Sequence, residues 1–199
     1  MPVRIGCVVE GHGEVESVPA LIRKIARRFD PALTIDIPHP VRVTKSKLLK
    51  SGELERAAGL AALNAGAGGG VFVILDSDED CPAQLGPKLL ARVRSVRPDL
   101  PSAVVLAKRE FESWLLASAE SLRGRRGLPE DLTSPDHPED ISGAKEWLNS
   151  KIKGGAYAST VDQASLTSSM DLALARRAAS FDKCYREITL LLETLRLRG

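Results

Sequence analysis

The stretch that most constrains the fold is VFVILDSDED, residues 71–80. Val71 to Leu75 form a short unbroken apolar run, rich in β-branched side chains and without alternation. Such a run predicts a strand covered on both faces, as in a parallel sheet between two layers of helix. It then passes directly into Asp76, Asp78 and Asp80. VRIGCVV at 3–9 repeats this grammar and is followed by Glu10 and Glu14 around a glycine pair. AVVLA at 103–107 does so again, followed by Lys108, Arg109, Glu110 and Glu112. LTIDI at 33–37 predicts a weaker strand, with a proline-containing loop after it.

Between these runs the apolar period changes. Val15, Val18, Ile22, Ile25 and Phe29 recur every three or four residues and mark one helical face, with Pro19 placing its start near Glu16. SKLLKSGELERAAGLAALN predicts a helical region broken near Gly52 and ended by GAGGG. A further helix is expected at 84–96, with Leu89, Leu90 and Val93 inward, and another through Phe111, Trp114, Leu115 and Leu116. Four strands alternating with helices over residues 1–120 predict an α/β domain with a mostly parallel four-stranded sheet flanked by helices. Residues 121–199 are expected to add an exposed loop at 123–142 and a helical C-terminal region packed on the same domain. SGAKEWLNSKIK predicts one helix of that region. The stripe Phe181, Cys184, Tyr185, Ile188, Leu191, Leu192 and Leu195 predicts another over 180–196, with Ser180 as its N-cap.

Bulk properties exclude several classes. A net charge of +2 over 199 residues gives no global field that would drive the chain onto nucleic acid or a membrane. No stretch approaches the ~18 apolar residues of a membrane span. Three dispersed cysteines, Cys7, Cys81 and Cys184, suggest reduced thiols and a cytoplasmic setting, as does an opening segment unlike a secretory leader. The phosphate motifs fail: there is no GxxxxGK[ST], and Gly11 and Gly13 lack the third glycine of a dinucleotide fingerprint.

What remains is acid at the carboxyl ends of strands, the edge where open α/β sheets bind ligands. Glu10 and Asp76 should face each other there if their strands are neighbours. Crowded carboxylates repel and acquire raised pKa values, and a dication relieves the conflict. Oxygen ligands suit Mg²⁺ or Mn²⁺ better than zinc. The competing reading of Asp76, Asp78 and Asp80 is a solvated turn, and that of Glu10 a helix-start acid. Lys108 and Arg109 are placed either to neutralise a phosphate in the transition state or simply to be solvated. Arg123, Arg125 and Arg126 either track a phosphate backbone or line an exposed loop. His12 reads as an ordinary loop residue, and Trp114 and Trp147 as core anchors.

VVEGHGE followed by VILDSDED resembles the Toprim domain of topoisomerases, primases and OLD-type nucleases. EGHGE, EFESWLLAS, Ala156–Tyr157 and RRAASFDKC together resemble a narrower group of prokaryotic Toprim-like proteins found beside AAA-type ATPases in phage-defence settings. The resemblance implies a Toprim-like α/β fold and a nuclease that cleaves phosphodiester bonds with Mg²⁺ or Mn²⁺. It puts DNA ahead of RNA as substrate and an ATPase as partner. By motif position, Glu10 would be a general acid/base or metal ligand, and Asp76 and Asp78 metal ligands. Glu14 and Asp80 stand behind them, and Glu112 takes the third acidic position. The alternatives are a non-catalytic regulatory or adaptor subunit that binds metal, and a small-molecule phosphotransferase or phosphatase.

Overall fold

The computed structural model describes residues 2–153 and 155–198. The element order is β1 (Val3–Val9), α1 (Glu14–Phe29), β2 (Ile35–Asp36), β3 (Val41–Arg42), α2 (Lys45–Leu48), α3 (Glu53–Ala65), β4 (Gly70–Asp76), α4 (Pro82–Val96), β5 (Ser102–Ala107) and α5 (Glu112–Ala117). After these come α6 (Ala144–Lys151), α7 (Ala164–Ser169), α8 (Leu172–Ala175) and α9 (Ala179–Arg196). Short 3₁₀ turns lie at Ala119–Leu122 and Pro138–Asp140, and a π-helical turn at Ser159–Gln163.

Every strand pairing is parallel, as the unbroken apolar runs require. The sheet runs β2-β1-β4-β5, and β3 also pairs with β1. Val8 pairs with Val73 and Asp76 with Ala107, so β1, β4 and β5 finish along the same edge. The α/β fold with a parallel sheet, flanking helices and C-terminal helices is therefore the one its sequence predicts. The second predicted strand is shorter than 33–37, and β3 forms inside what reads as a proline loop.

The two faces of the sheet carry separate apolar layers. Val3, Ile5, Cys7 and Val9 of β1 point toward α1, α5 and α9, while Val8 joins the α3 and α4 side. The α3 layer is unusually thin because Ala57, Ala58, Ala61 and Ala62 face the sheet. Gly6 completes this close approach: a Cβ there would fall on the Ala61 carbonyl oxygen.

Three local expectations are corrected. α1 begins at Glu14 rather than Glu16. Residues 123–142 are not simply an exposed loop, since Leu128 and Leu132 are buried in the core and Arg123 Nε donates to the Leu132 carbonyl at 2.7 Å. Ser180 does not cap α9. Its hydroxyl instead accepts from Trp114 Nε1 at 2.8 Å and from the Lys108 amide at 3.0 Å. The Glu139 carboxylate takes over the capping, accepting the Ala179 and Ser180 amides at 3.0 and 2.9 Å. Trp114, wedged between Phe111 and Phe181, ties α5 to α9. Cys7 and Cys184 are buried, Cys81 is exposed, and all three are free thiols. Among the described residues no helix is long and apolar enough to cross a membrane.

The contact beneath Gly6 is backbone against β-carbon, with no flexible side chain to yield. Gly6→Ala should cost about 1–3 kcal/mol or more in urea unfolding. An unchanged midpoint would show that α3 can retreat from the sheet.

Candidate functional site

Parallel register brings the ends of β1 and β4 side by side, and each ends in acid. Glu10 follows β1 and Asp76 closes β4. Glu14 opens α1 and Glu112 opens α5, and both are buried with Asp76. Glu14, Asp76 and Glu112 each have a distinct set of hydrogen-bond partners.

Glu14 accounts for the acidic glycine turn. Its Oε2 accepts the backbone amides of Glu10 and Gly11, each at 2.9 Å. The turn's own carboxylate thus occupies the amides that would otherwise cradle a phosphate. Asp76 Oδ1 accepts the Phe111 amide at 2.8 Å, which fixes the entry to α5. Glu112 Oε1 accepts from Tyr157 Oη at 2.9 Å and Gln163 Nε2 at 3.1 Å. Gln163 in turn accepts from Ser17 Oγ at 2.9 Å. Gly13 lets the π turn come this close, since a Cβ there would stand 2.5 Å from Gln163 Oε1 and 2.6 Å from the Ser159 carbonyl. The buried Asp162 holds that turn by accepting the Ala158 amide at 2.8 Å and Arg126 Nε at 2.7 Å.

The electrostatics follow from crowding. Burial, then the charges of Glu14 and Glu112, push the Asp76 carboxyl well above its usual range. Burial raises Glu112 against the pull of Lys145, and it raises Glu14 against its two backbone amides. Glu10 rises through burial and the neighbouring Glu14 charge. Lys145 Nζ is 3.7 Å from Glu112 Oε2. Burial opposes its charge, but Glu112, Asp76, Glu110 and Glu14 outweigh this and raise its pKa. Two buried carboxylate oxygens, Glu10 Oε2 and Glu112 Oε2, have no hydrogen-bond partner.

The predicted site residues thus separate. Glu10, Glu14, Asp76 and Glu112 come together. Asp78 and Asp80 do not join them: both turn onto Lys45, at 2.8 and 2.9 Å, which also donates to the Ser77 carbonyl at 2.6 Å. Asp78 adopts a left-handed φ of 50°, and its amide donates to the carbonyl of Arg109, itself at φ 61°. The loops after β4 and β5 are locked together there, and the alternation that aligns Asp76 with Asp78 in the sequence is broken. Lys108 points to the surface and pairs with Asp140 at 2.7 Å, 44% of its side chain exposed. Of the basic run, Arg123 and Arg126 are engaged by Leu132 and Asp162.

Lys45, Lys145 and Gln163 escape sequence reasoning. Tyr157 carries a sequence signal only through the Ala156–Tyr157 motif.

An all-oxygen donor set with two unpartnered buried oxygens fits a hard dication in chemistry. Among the described residues, however, no group of three or more His, Cys, Asp or Glu side chains is arranged to hold a metal ion. Glu10, Asp76 and Glu112 would have to close in.

Fold and site define a parallel α/β protein with a buried carboxyl cluster at the strand ends. The chain belongs to the family described as "Domain of unknown function (DUF4276)", whose sequence model matches residues 9–188. No curated protein and no solved structure matches it.

A carboxyl whose pKa folding raises destabilises the native state wherever it is ionised, and the cost vanishes below the ordinary carboxylate pKa. Asp76→Asn keeps the acceptor for the Phe111 amide and removes the charge. It should raise Tm at pH 8 by roughly 2–4 °C per kcal/mol relieved, the gain fading as pH falls toward about 4. Thermal denaturation across that range checks this. A lower Tm at pH 8 would mean that the Asp76 charge stabilises the fold.

Proposed function

We propose that this chain is a divalent-metal-dependent phosphodiester hydrolase of Toprim type, acting on nucleic acid, with DNA ahead of RNA. The observation that carries this reading is the pair of unpartnered buried oxygens, Glu10 Oε2 and Glu112 Oε2, in a cluster where Lys145 faces Glu112 from 3.7 Å. Leaving buried carboxylate oxygens without a hydrogen bond is costly, and a cation taken up in function gives the arrangement a purpose.

Glu10, Asp76 and Glu112 would hold Mg²⁺ or Mn²⁺. The metal would supply a polarised phosphate oxygen and a water of lowered pKa. Glu10, half-buried at the mouth and raised in pKa, is suited to carry a proton. Lys145 supplies positive charge beside the carboxylates, a role that Lys108 cannot fill from its surface pair with Asp140. Tyr157 and Gln163 orient Glu112. Asp78 and Asp80, drawn onto Lys45, support the loop. Three free cysteines suit a reducing cytoplasm, and the proposed setting is phage defence beside an AAA-type ATPase.

A second reading is a non-catalytic regulatory or adaptor subunit that binds metal. It is favoured by Lys145 already facing the cluster and by the lack, among the described residues, of three carboxyls arranged to hold a metal ion.

Incubation of supercoiled plasmid and single-stranded DNA with the purified chain and Mg²⁺ or Mn²⁺ separates the two. Cleavage should fall at least about a hundredfold in Glu10→Gln and Asp76→Asn and persist in Lys108→Met. Cleavage that survives Asp76→Asn contradicts the assignment. Metal binding without cleavage favours the adaptor.

A further inference from the structure

β5 ends the sheet on one side, and among the described residues its outer edge has no strand partner. The Val71 amide donates to the Pro101 carbonyl and the Ser77 amide to the Ala107 carbonyl, so residues 103, 105 and 107 turn their backbone groups toward β4. Those of Val104 and Leu106 therefore face outward, and among the described residues they make no hydrogen bond. The next outward amide, Lys108, is closed off by the Ser180 hydroxyl at 3.0 Å. The open section of the edge forms the floor of a mainly apolar groove of about 520 Å³ between α4 and α9, walled by Ala83, Pro87, Leu90 and Ala179. A second hollow of about 270 Å³ continues past Ser102 beside Leu190, which is 58% exposed.

We infer that this groove binds an extended segment of a partner protein, added as a strand along β5, with apolar side chains at alternate positions and carboxylates at its end. Outward backbone groups above an apolar floor are what strand addition uses, hydrogen bonds supplying affinity and side-chain pockets selectivity.

Charge chooses the occupant. Arg94 and Arg198 line the second hollow at the start of β5, and Lys108 and Lys183 line the groove toward the other end. The two lysines are paired with Asp140 and Glu187. Glu187 lines the arginine hollow but is held by Lys183, and the Asp99 carboxylate is held by Arg97; among the described residues Arg198 donates only to the Asp99 carbonyl, so the arginines are in excess at that end and it is the one in need of acid. A second copy paired antiparallel on β5 would bring to those arginines its own Lys108 and Lys183, whose acids Asp140 and Glu187 are already engaged, and so no free carboxylate. The groove lies outside the carboxyl cluster, and the inference holds whether or not the chain cleaves DNA.

Panning a random library of displayed short peptides against the purified chain tests it. Enriched peptides should alternate apolar residues and end in Asp or Glu. They should bind at least about tenfold more weakly to Ala83→Trp, which fills the groove from an exposed position, at unchanged Tm. They should also slow hydrogen exchange at the Val104 and Leu106 amides of the wild-type chain. Arg94→Glu combined with Arg198→Glu should invert the preference for acidic ends. No enrichment over Ala83→Trp, or peptides that leave the Val104 and Leu106 amides unaffected, would overturn the inference. So would protection of those amides that grows with protein concentration alone, which would make a second copy the occupant.

Discussion

Four carboxyl groups and one ammonium share the carboxyl edge of the sheet, and much of the surrounding structure serves to hold them there. β1 and β4 are adjacent and in register, so Glu10 and Asp76 cannot separate. Burial and mutual repulsion raise both pKa values. The fold offsets this by assigning three of the four carboxylates something to hold. Glu14 takes two amides of its own turn, Asp76 the amide that opens α5, and Glu112 a tyrosine and a glutamine from the C-terminal third. The cluster organises local backbone while leaving two buried oxygens without a hydrogen bond.

The C-terminal third is therefore part of the site as well as a cover for the sheet. Lys145 arrives from the first turn of α6, Tyr157 from just before the π turn and Gln163 from the turn itself, which Gly13 admits and Asp162 holds. π-helical insertions recur at functional sites because they re-aim side chains that a regular helix would misplace. The same third supplies α9, whose Ser180 receives Trp114 and closes one end of the β5 edge.

The layers of the fold were legible because apolar periodicity is local. VRIGCVV, VFVIL and AVVLA are too short and too continuous for anything but buried strands, and the α9 stripe is one helical face. Glu10 and Asp76 were legible for the same reason, as the residues at which those runs stop. Asp78 and Asp80 were not separable from Asp76 in sequence. The buried lysine that draws them away, Lys45, lies more than thirty residues upstream, and the left-handed turn at Asp78 breaks the alternation. Lys145 and Gln163 reach the cluster through contacts between residues far apart in the sequence, with a separation of 51 between Gln163 and Glu112. The order in residues 123–142 was hidden because Leu128 and Leu132 are isolated apolar residues among prolines and charges, without a period to reveal them.

The central claim is that the raised carboxyls are a cation site held ready by its own crowding. Calorimetric titration with Mn²⁺ at neutral pH, in buffers of different ionisation enthalpy, tests it most directly. A metal binds the carboxylate and not the acid, so any proton that crowding retains on these carboxyls leaves as the metal binds. The account predicts a binding heat that varies with buffer and is lost in Asp76→Asn. Absence of binding, or binding that neither depends on buffer nor responds to Asp76→Asn, would contradict it.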